Sequence, residues 1–263
     1  MKVGICSIIW KERLDIFEVV ATAARVRADG IEVWGQAPHV PDLADHEHLK
    51  RIREAMQSEG LVAPQFGSYV RAGTDGFREQ AAVALAATEA IGAPACRMWA
   101  GPADSEVLDA HQWEAVIADL QHACAVASDK GLLITLERHG NTPTNSLWGC
   151  QRVLDEVAST ALRINYQVMR TQSDRVAEEI RILAPHILNT HATNARSSDG
   201  GRSMTALADG DVDWTALVAA LAWNGNDGFV EVEFVRRGTE EISLEKTERE
   251  LAADVAFLRR VME

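Results

Sequence analysis

Short apolar runs alternate with longer amphipathic stretches from one end of the chain to the other. The runs KVGICSI (2–8), IEVWG (31–35), LVAPQFG (61–67), PACRMWA (94–100), LLITLE (132–137), LRINYQ (162–167), HILNTHA (186–192) and FVEVEFV (229–235) have the length and β-branched content of buried strands. Between them the apolar positions recur at helical spacing. Ile16, Val20, Ala23 and Ala24 share one face, as do Val116, Leu120, Ala123 and Cys124, and as do Trp214, Leu217, Val218 and Leu221. Val176, Ile180 and Leu183 mark a sixth helix, and Leu251, Val255 and Leu258 the last.

Gly30, Gly60, Gly92, Gly131 and Gly228 each stand just before a strand, where a left-handed residue is expected to end the preceding helix. Eight strand-and-helix units with short links predict parallel strands joined by right-handed crossovers. Eight is the number that closes such a sheet into a (β/α)8 barrel. An open doubly wound sheet is the runner-up, but no strand leads into a glycine-rich dinucleotide fingerprint. No linker interrupts the pattern, so residues 1–263 are expected to form one α/β domain. The longest stretch without periodicity, 193–212, is rich in Gly, Ser and Asp and is expected to be a flap over the strand ends.

Composition narrows the function more than the fold. The 263 residues are 47% hydrophobic, enough for a large core, and carry a formal charge of −13 with no basic stripe. A polyphosphate backbone would be repelled, so nucleic acid is not an expected partner. No run approaches the ~18–20 apolar residues of a membrane span, and the first residues lack a signal-peptide core, so a cytoplasmic protein is expected. Cys6, Cys96, Cys124 and Cys150 form no CxxC pair and are expected to be reduced and packed inside.

Chemistry is concentrated where each strand ends, which is the active face of a barrel of this kind. The fifth strand passes from LLITL directly into Glu137, Arg138, His139 and Asn141. The other tips offer Glu32, Arg97, Asn165, Gln167, Arg170, His191, Asn194, Glu231 and Glu233. Trp10, Trp34 and Trp99 would supply flat walls suited to the C–H faces of a carbohydrate, or would simply plug the barrel top.

The order and spacing of DGIEVWG (29–35), GLLITLERHGNT (131–142), HILNTHATN (186–194), LADGDVDW (207–214) and DGFVEVE (227–233) resemble the xylose isomerase-like TIM barrels. That family includes sugar isomerases, ketose 3-epimerases, hydroxypyruvate isomerase, inosose dehydratase and, more distantly, endonuclease IV. The resemblance implies a divalent metal held by Glu137, His191 and Glu233, with Glu137 and Glu233 as the acid–base pair and Glu231 a layer deeper. It breaks on the sixth strand, where the family's Asp and the His three residues later correspond to Gln167 and Arg170.

An amide brings no charge, so Gln167 implies a weaker site for Mn²⁺, Mg²⁺ or Co²⁺, whereas Arg170 would hold an anionic substrate group. Trp10, Trp34, Arg97, Trp99, His139 and Arg170 are the expected substrate contacts. The leading expectation is an isomerase or epimerase of a small sugar or keto-sugar, working through a metal-stabilised enediolate. A dehydratase or decarboxylase on a keto-polyol or sugar acid is the alternative, and a metal-free binding or partner subunit the third; homo-oligomerisation is compatible with all three.

Overall fold

In the computed structural model eight parallel strands close into a barrel. The structure describes residues 1–11, 13–169, 175–198, 201–235 and 243–263. The barrel strands are β1 (Lys2–Cys6), β2 (Gly30–Trp34), β3 (Phe66–Arg71), β4 (Ala95–Trp99), β5 (Leu133–Glu137), β6 (Leu162–Tyr166), β7 (Ile187–Ala192) and β10 (Phe229–Val232); β8 (Ala195–Ser198) and β9 (Gly201–Met204) lie outside it. Around the barrel the order is β1-β10-β7-β6-β5-β4-β3-β2. Parallel neighbours cannot be joined by tight turns, so helices cross between them. These are α1 (Ile16–Arg25), α2 (His46–Ser58), α3 (Phe77–Ile91), α4 (Ala110–Asp129), α5 (Leu147–Val157), α6 (Val176–Leu183), α7 (Trp214–Trp223) and α8 (Leu244–Met262).

The helix starts are written in the sequence. Asp15 and Asp109 accept backbone N–H groups of their first turns while Glu18 and Gln112 reach back, two complete capping boxes. Ser146, Asp213 and Ser243 cap α5, α7 and α8 alone, each such cap being worth about 1 kcal/mol. The expected stripes face the barrel: Ile16, Val20, Val116, Leu120, Trp214, Leu217, Leu251, Val255 and Leu258 are all buried. All four cysteines are free and buried.

Four local expectations are corrected. The third strand begins at Phe66 rather than Leu61, because Pro64 lacks an N–H and residues before it make only the isolated bridge Gly30↔Val62. The first ends at Cys6, and Ser7–Trp10 forms a single 3₁₀ turn that carries Trp10 away from the barrel axis. Gly60, Gly92 and Gly131 are left-handed as expected, but Gly30 and Gly228 serve close approach: a Cβ would lie 2.6 Å from the Val62 carbonyl oxygen and 1.8 Å from that of Leu188. Within 193–212, β8 and β9 pair antiparallel, so the expected irregular flap contains a two-stranded ribbon.

Candidate active site at the strand ends

The parallel register brings the polar tips to one level. Cys6 pairs with Glu32, Gly67 with Arg97, Glu137 with Asn165, and Glu231 with His191 across adjacent strands. Above them opens a cavity of about 140 Å³ lined by Cys6, Glu32, Trp34, Tyr69, Arg97, Trp99, Glu137, His139, His191 and Glu233. Its wall is a chain of aromatic rings. Trp34 meets Tyr69 at 6.2 Å, Tyr69 meets Trp99 at 6.0 Å, and His139 packs edge-on against Trp99 at 4.9 Å.

The floor is an ionic network. Arg97 Nε donates to Glu32 Oε1 at 2.6 Å and its Nη1 donates to Glu137 Oε2, so one guanidinium joins two strand ends. The second Glu32 oxygen accepts from His191 Nε2 at 2.7 Å and from Gln65 Nε2 at 2.7 Å. Gln65 also donates to Glu231 Oε2 at 3.1 Å and accepts from Thr135 Oγ1 at 2.7 Å. Gly67 makes room for this crossing, since a Cβ there would stand 2.6 Å from Glu32 Oε1.

With Nε2 of His191 tied to Glu32, its Nδ1 faces Glu137 Oε1 at 3.6 Å and Glu233 Oε1 at 3.7 Å. Burial opposes charge throughout, and the partners decide each outcome. Desolvation would raise Glu137, but Arg97 and then His191 hold its carboxyl below the ordinary value. Glu32 is likewise depressed, desolvation being overcome by Arg97 and His191. For Glu233, desolvation outweighs the pull of His191 and the smaller pull of Arg97 and pushes it up to about 7. Glu231, desolvated and beside Glu32, is raised well above the carboxylate range.

A divalent cation fits this cluster. Glu137, His191 and Glu233 each offer one atom within 4.8 Å of the other two. His191 Nδ1, Glu233 Oε2 and, just past the end of β6, Gln167 Oε1 are buried without a hydrogen-bond partner. Against desolvation, Cys6, Glu32 and Glu233 raise the His191 pKa well above the ordinary histidine value, so a metal would take Nδ1 by displacing its proton while Glu32 keeps Nε2, a common arrangement behind metal-bound histidines. The mixed oxygen and imidazole set suits Mg²⁺, Mn²⁺ or Co²⁺.

Of the remaining sequence candidates, Trp34, Trp99, His139 and Arg97 line the cavity, although two Arg97 nitrogens are engaged by carboxylates. Trp10 does not: it is buried beneath α1, in a separate depression with Leu14, Thr22 and Leu244, because the 3₁₀ turn redirects it. Gln167 lines an adjoining cavity of about 280 Å³ with Asn194 and Arg202, and His139 and Glu233 are common to both spaces. Arg170 lies outside the described residues. Tyr69, Cys6 and Gln65 join the site without a sequence signal of their own. Tyr69 is hidden by the displaced start of the third strand, while the other two reveal themselves only through partners on distant strands.

The xylose isomerase-like TIM barrel family matches residues 20–261. The chain belongs to that family. A curated relative, a 3-dehydroshikimate dehydratase of Bacillus anthracis, is 22% identical over 262 residues, covering 86% of this chain and 92% of that protein. Among solved structures, a probable 3-DHS dehydratase of Bacillus anthracis involved in petrobactin synthesis superposes with a TM-score of 0.82 at 19% identity, covering 98% of this chain and 99% of that one. An L-ribulose 3-epimerase superposes with a TM-score of 0.79 at 16% identity, covering 99% and 94%. Relatives in this family are enzymes, both epimerases and a dehydratase, and no helix among the described residues is long and apolar enough to cross a membrane.

Proposed function

We propose that this barrel is a lyase of the dehydratase type, removing water from a small keto-polyol acid by taking the proton next to a carbonyl. The observation that carries this reading is the inequality of the two strand-end glutamates. Glu137 has one oxygen on Arg97 and the other facing His191, so neither is left to carry a proton. Glu233 keeps Oε2 unpaired and titrates near neutrality, as an acid–base group should. Isomerisation by two matched glutamates on opposite faces needs both to be free; elimination needs one base and one acid of different character.

The second group is at hand in His139. Its Nδ1 donates to the Gly140 carbonyl at 2.7 Å, which leaves the Nε2 lone pair to the cavity it lines. In this reading His139 Nε2 takes the carbon-bound proton and Glu233 protonates the departing hydroxyl, which leaves as water. The proton balance is then restored from His139 to Glu233 through solvent. A divalent cation held by Glu137, His191 and Gln167 would polarise the substrate carbonyl, with Glu233 beside it as the proton donor rather than a ligand in this step. Trp34, Tyr69 and Trp99 hold the carbon skeleton, and Arg202 places positive charge on the adjoining wall for the acid group. The kinship with a dehydratase supports this choice.

Epimerisation stays as the second reading because His139 and Glu233 line the same cavity and could exchange a proton from two sides. Incubation of keto-polyol acids in D₂O separates the two. Products lighter by one water are expected; products of unchanged skeleton carrying deuterium at carbon would overturn dehydration in favour of epimerisation.

A further inference from the structure

His191 has a second face, and that face carries its own donor set. On the Nε2 side, Cys6 Sγ lies 3.7 Å from Glu32 Oε2, and Glu32 Oε2 lies 2.7 Å from Nε2. Cys6, Glu32 and His191 can each bring one ligand atom within 4.8 Å of the others, a cluster distinct from the one formed by Glu137, His191 and Glu233. Both Cys6 and Glu32 line the cavity, so the inner cluster is reached from the same mouth. Cys6 is buried, and its Sγ makes a long hydrogen bond to the Glu32 carboxylate.

We propose that Cys6, Glu32 and His191 Nε2 form a second, inner site for a thiophilic divalent cation such as Zn²⁺, with a cavity water as fourth ligand, and that filling it disables the outer site. This proposal does not depend on the reaction the barrel catalyses. One sulfur, one imidazole nitrogen and one carboxylate oxygen make a set that zinc accepts and that Mg²⁺ or Mn²⁺ does not favour. The Sγ to Oε2 separation already suits two ligands of one tetrahedral ion, while the Nε2 to Oε2 pair must open by less than about an ångström. Binding displaces the Cys6 thiol proton and the proton now shared between Nε2 and Glu32; a metal-bound thiol is deprotonated outright even where burial disfavours the free thiolate.

The antagonism between the sites follows from the ring itself. A neutral imidazole offers one lone pair, so a ring that gives Nε2 to the inner ion keeps its proton on Nδ1 and withholds that atom from the outer one. Glu32, which otherwise keeps Nε2, becomes a ligand instead. A thiophilic ion would therefore act as an inhibitor that does not occupy the substrate's place.

Cobalt reports the thiolate directly. Titrating the metal-free intact chain with Co²⁺ should produce a near-ultraviolet sulfur-to-cobalt charge-transfer band that one equivalent of Zn²⁺ abolishes. The band should vanish in Cys6→Ser and persist in Cys96→Ser, Cys124→Ser and Cys150→Ser. X-ray absorption at the zinc edge of the wild type gives a reading independent of any variant, with one sulfur expected at about 2.3 Å. A zinc shell of nitrogen and oxygen alone, or a charge-transfer band undiminished in folded Cys6→Ser, would overturn the proposal.

Discussion

Glu137 and Arg138 are neighbours in the chain, yet they enter two buried ionic clusters of opposite character. Arg138 turns outward, where Nη2 donates to Glu179 Oε1 at 2.6 Å and Nη1 to Oε2 at 2.8 Å, while the Tyr166 hydroxyl donates to Oε2 at 2.9 Å. Both carboxylate oxygens are satisfied and the pair ties β5 to α6. Glu137 turns inward to Arg97, Glu32 and His191, in a cluster that leaves His191 Nδ1 and Glu233 Oε2 unpartnered beside a cavity. Both clusters bear the cost of burying charge, but the second keeps imidazole and carboxylate atoms beside a cavity, in reserve for something that arrives from outside.

The contrast should be sharpest under substitution. Glu233→Gln should lower turnover by about 10²–10⁴-fold, the usual worth of a positioned acid–base group. Its unfolding midpoint should stay at or above that of the wild type, since a buried unpaired carboxylate disappears. Glu137→Gln should lose turnover as well, through the metal site. Retained activity in Glu233→Gln, measured on the substrate found in the D₂O screen, would remove that residue from proton transfer.

On the outer side the order reverses. Arg138→Met strands Glu179 in the interior and should cost about 3–5 kcal/mol in urea unfolding, whereas Arg138→Met with Glu179→Leu should recover most of that loss. A single variant within ~1 kcal/mol of the wild type would mean the pair is more hydrated than its burial suggests.

Glu32 joins the inner cluster at the cavity floor, behind His191, and it tests how far the reserve depends on support from below. Glu32→Gln removes the charge that both Arg97 and His191 use, so Mn²⁺ affinity by calorimetry should weaken about 10–100-fold, as for other partners behind metal ligands. An unchanged affinity would show that packing alone orients His191.

The inner cluster is half legible in the sequence. Glu137, His191 and Glu233 stand at the ends of strands whose apolar runs are plain, and barrel closure does the rest. The links through Glu32 to Cys6 and to His191 are not legible, because they span 26 and 159 residues and only strand register brings them together. Arg97 reads as a substrate contact, since a lone cation at a strand tip gives no sign that two carboxylates will claim it. Trp10 misleads because the chain leaves its strand at Cys6, four residues before it. The Arg138–Glu179 pair is invisible for a related reason: a charged residue after a strand looks solvated until a helix arrives to cover it.

A third buried group, His39, belongs with the satisfied kind and should give the smallest effect. The Ser7 hydroxyl donates to its Nδ1 at 3.0 Å and itself accepts from the Trp34 N–H at 2.8 Å, while His39 Nε2 donates to the Leu14 carbonyl at 3.2 Å. Every bond suits the neutral ring, and desolvation holds its pKa below the ordinary histidine value against the pull of the Leu14 carbonyl and Asp15. A depressed folded value means the unfolded chain takes up the proton first. His39 therefore contributes stability above about pH 6.5, and that contribution is lost as the pH falls through the folded value. Glu233 has the opposite sign, since its raised value contributes below the carboxylate range and is lost as the pH rises through about 7. Comparing His39→Gln with the wild type isolates the histidine from the glutamate. Calorimetric melting should show the wild type losing more stability than the variant between about pH 7.5 and 5.5, an interval that spans the ordinary histidine pKa. Parallel curves would mean that the Ser7 hydroxyl turns to accept from a charged ring at little cost, and that His39 does not share the closed character of the Arg138 cluster.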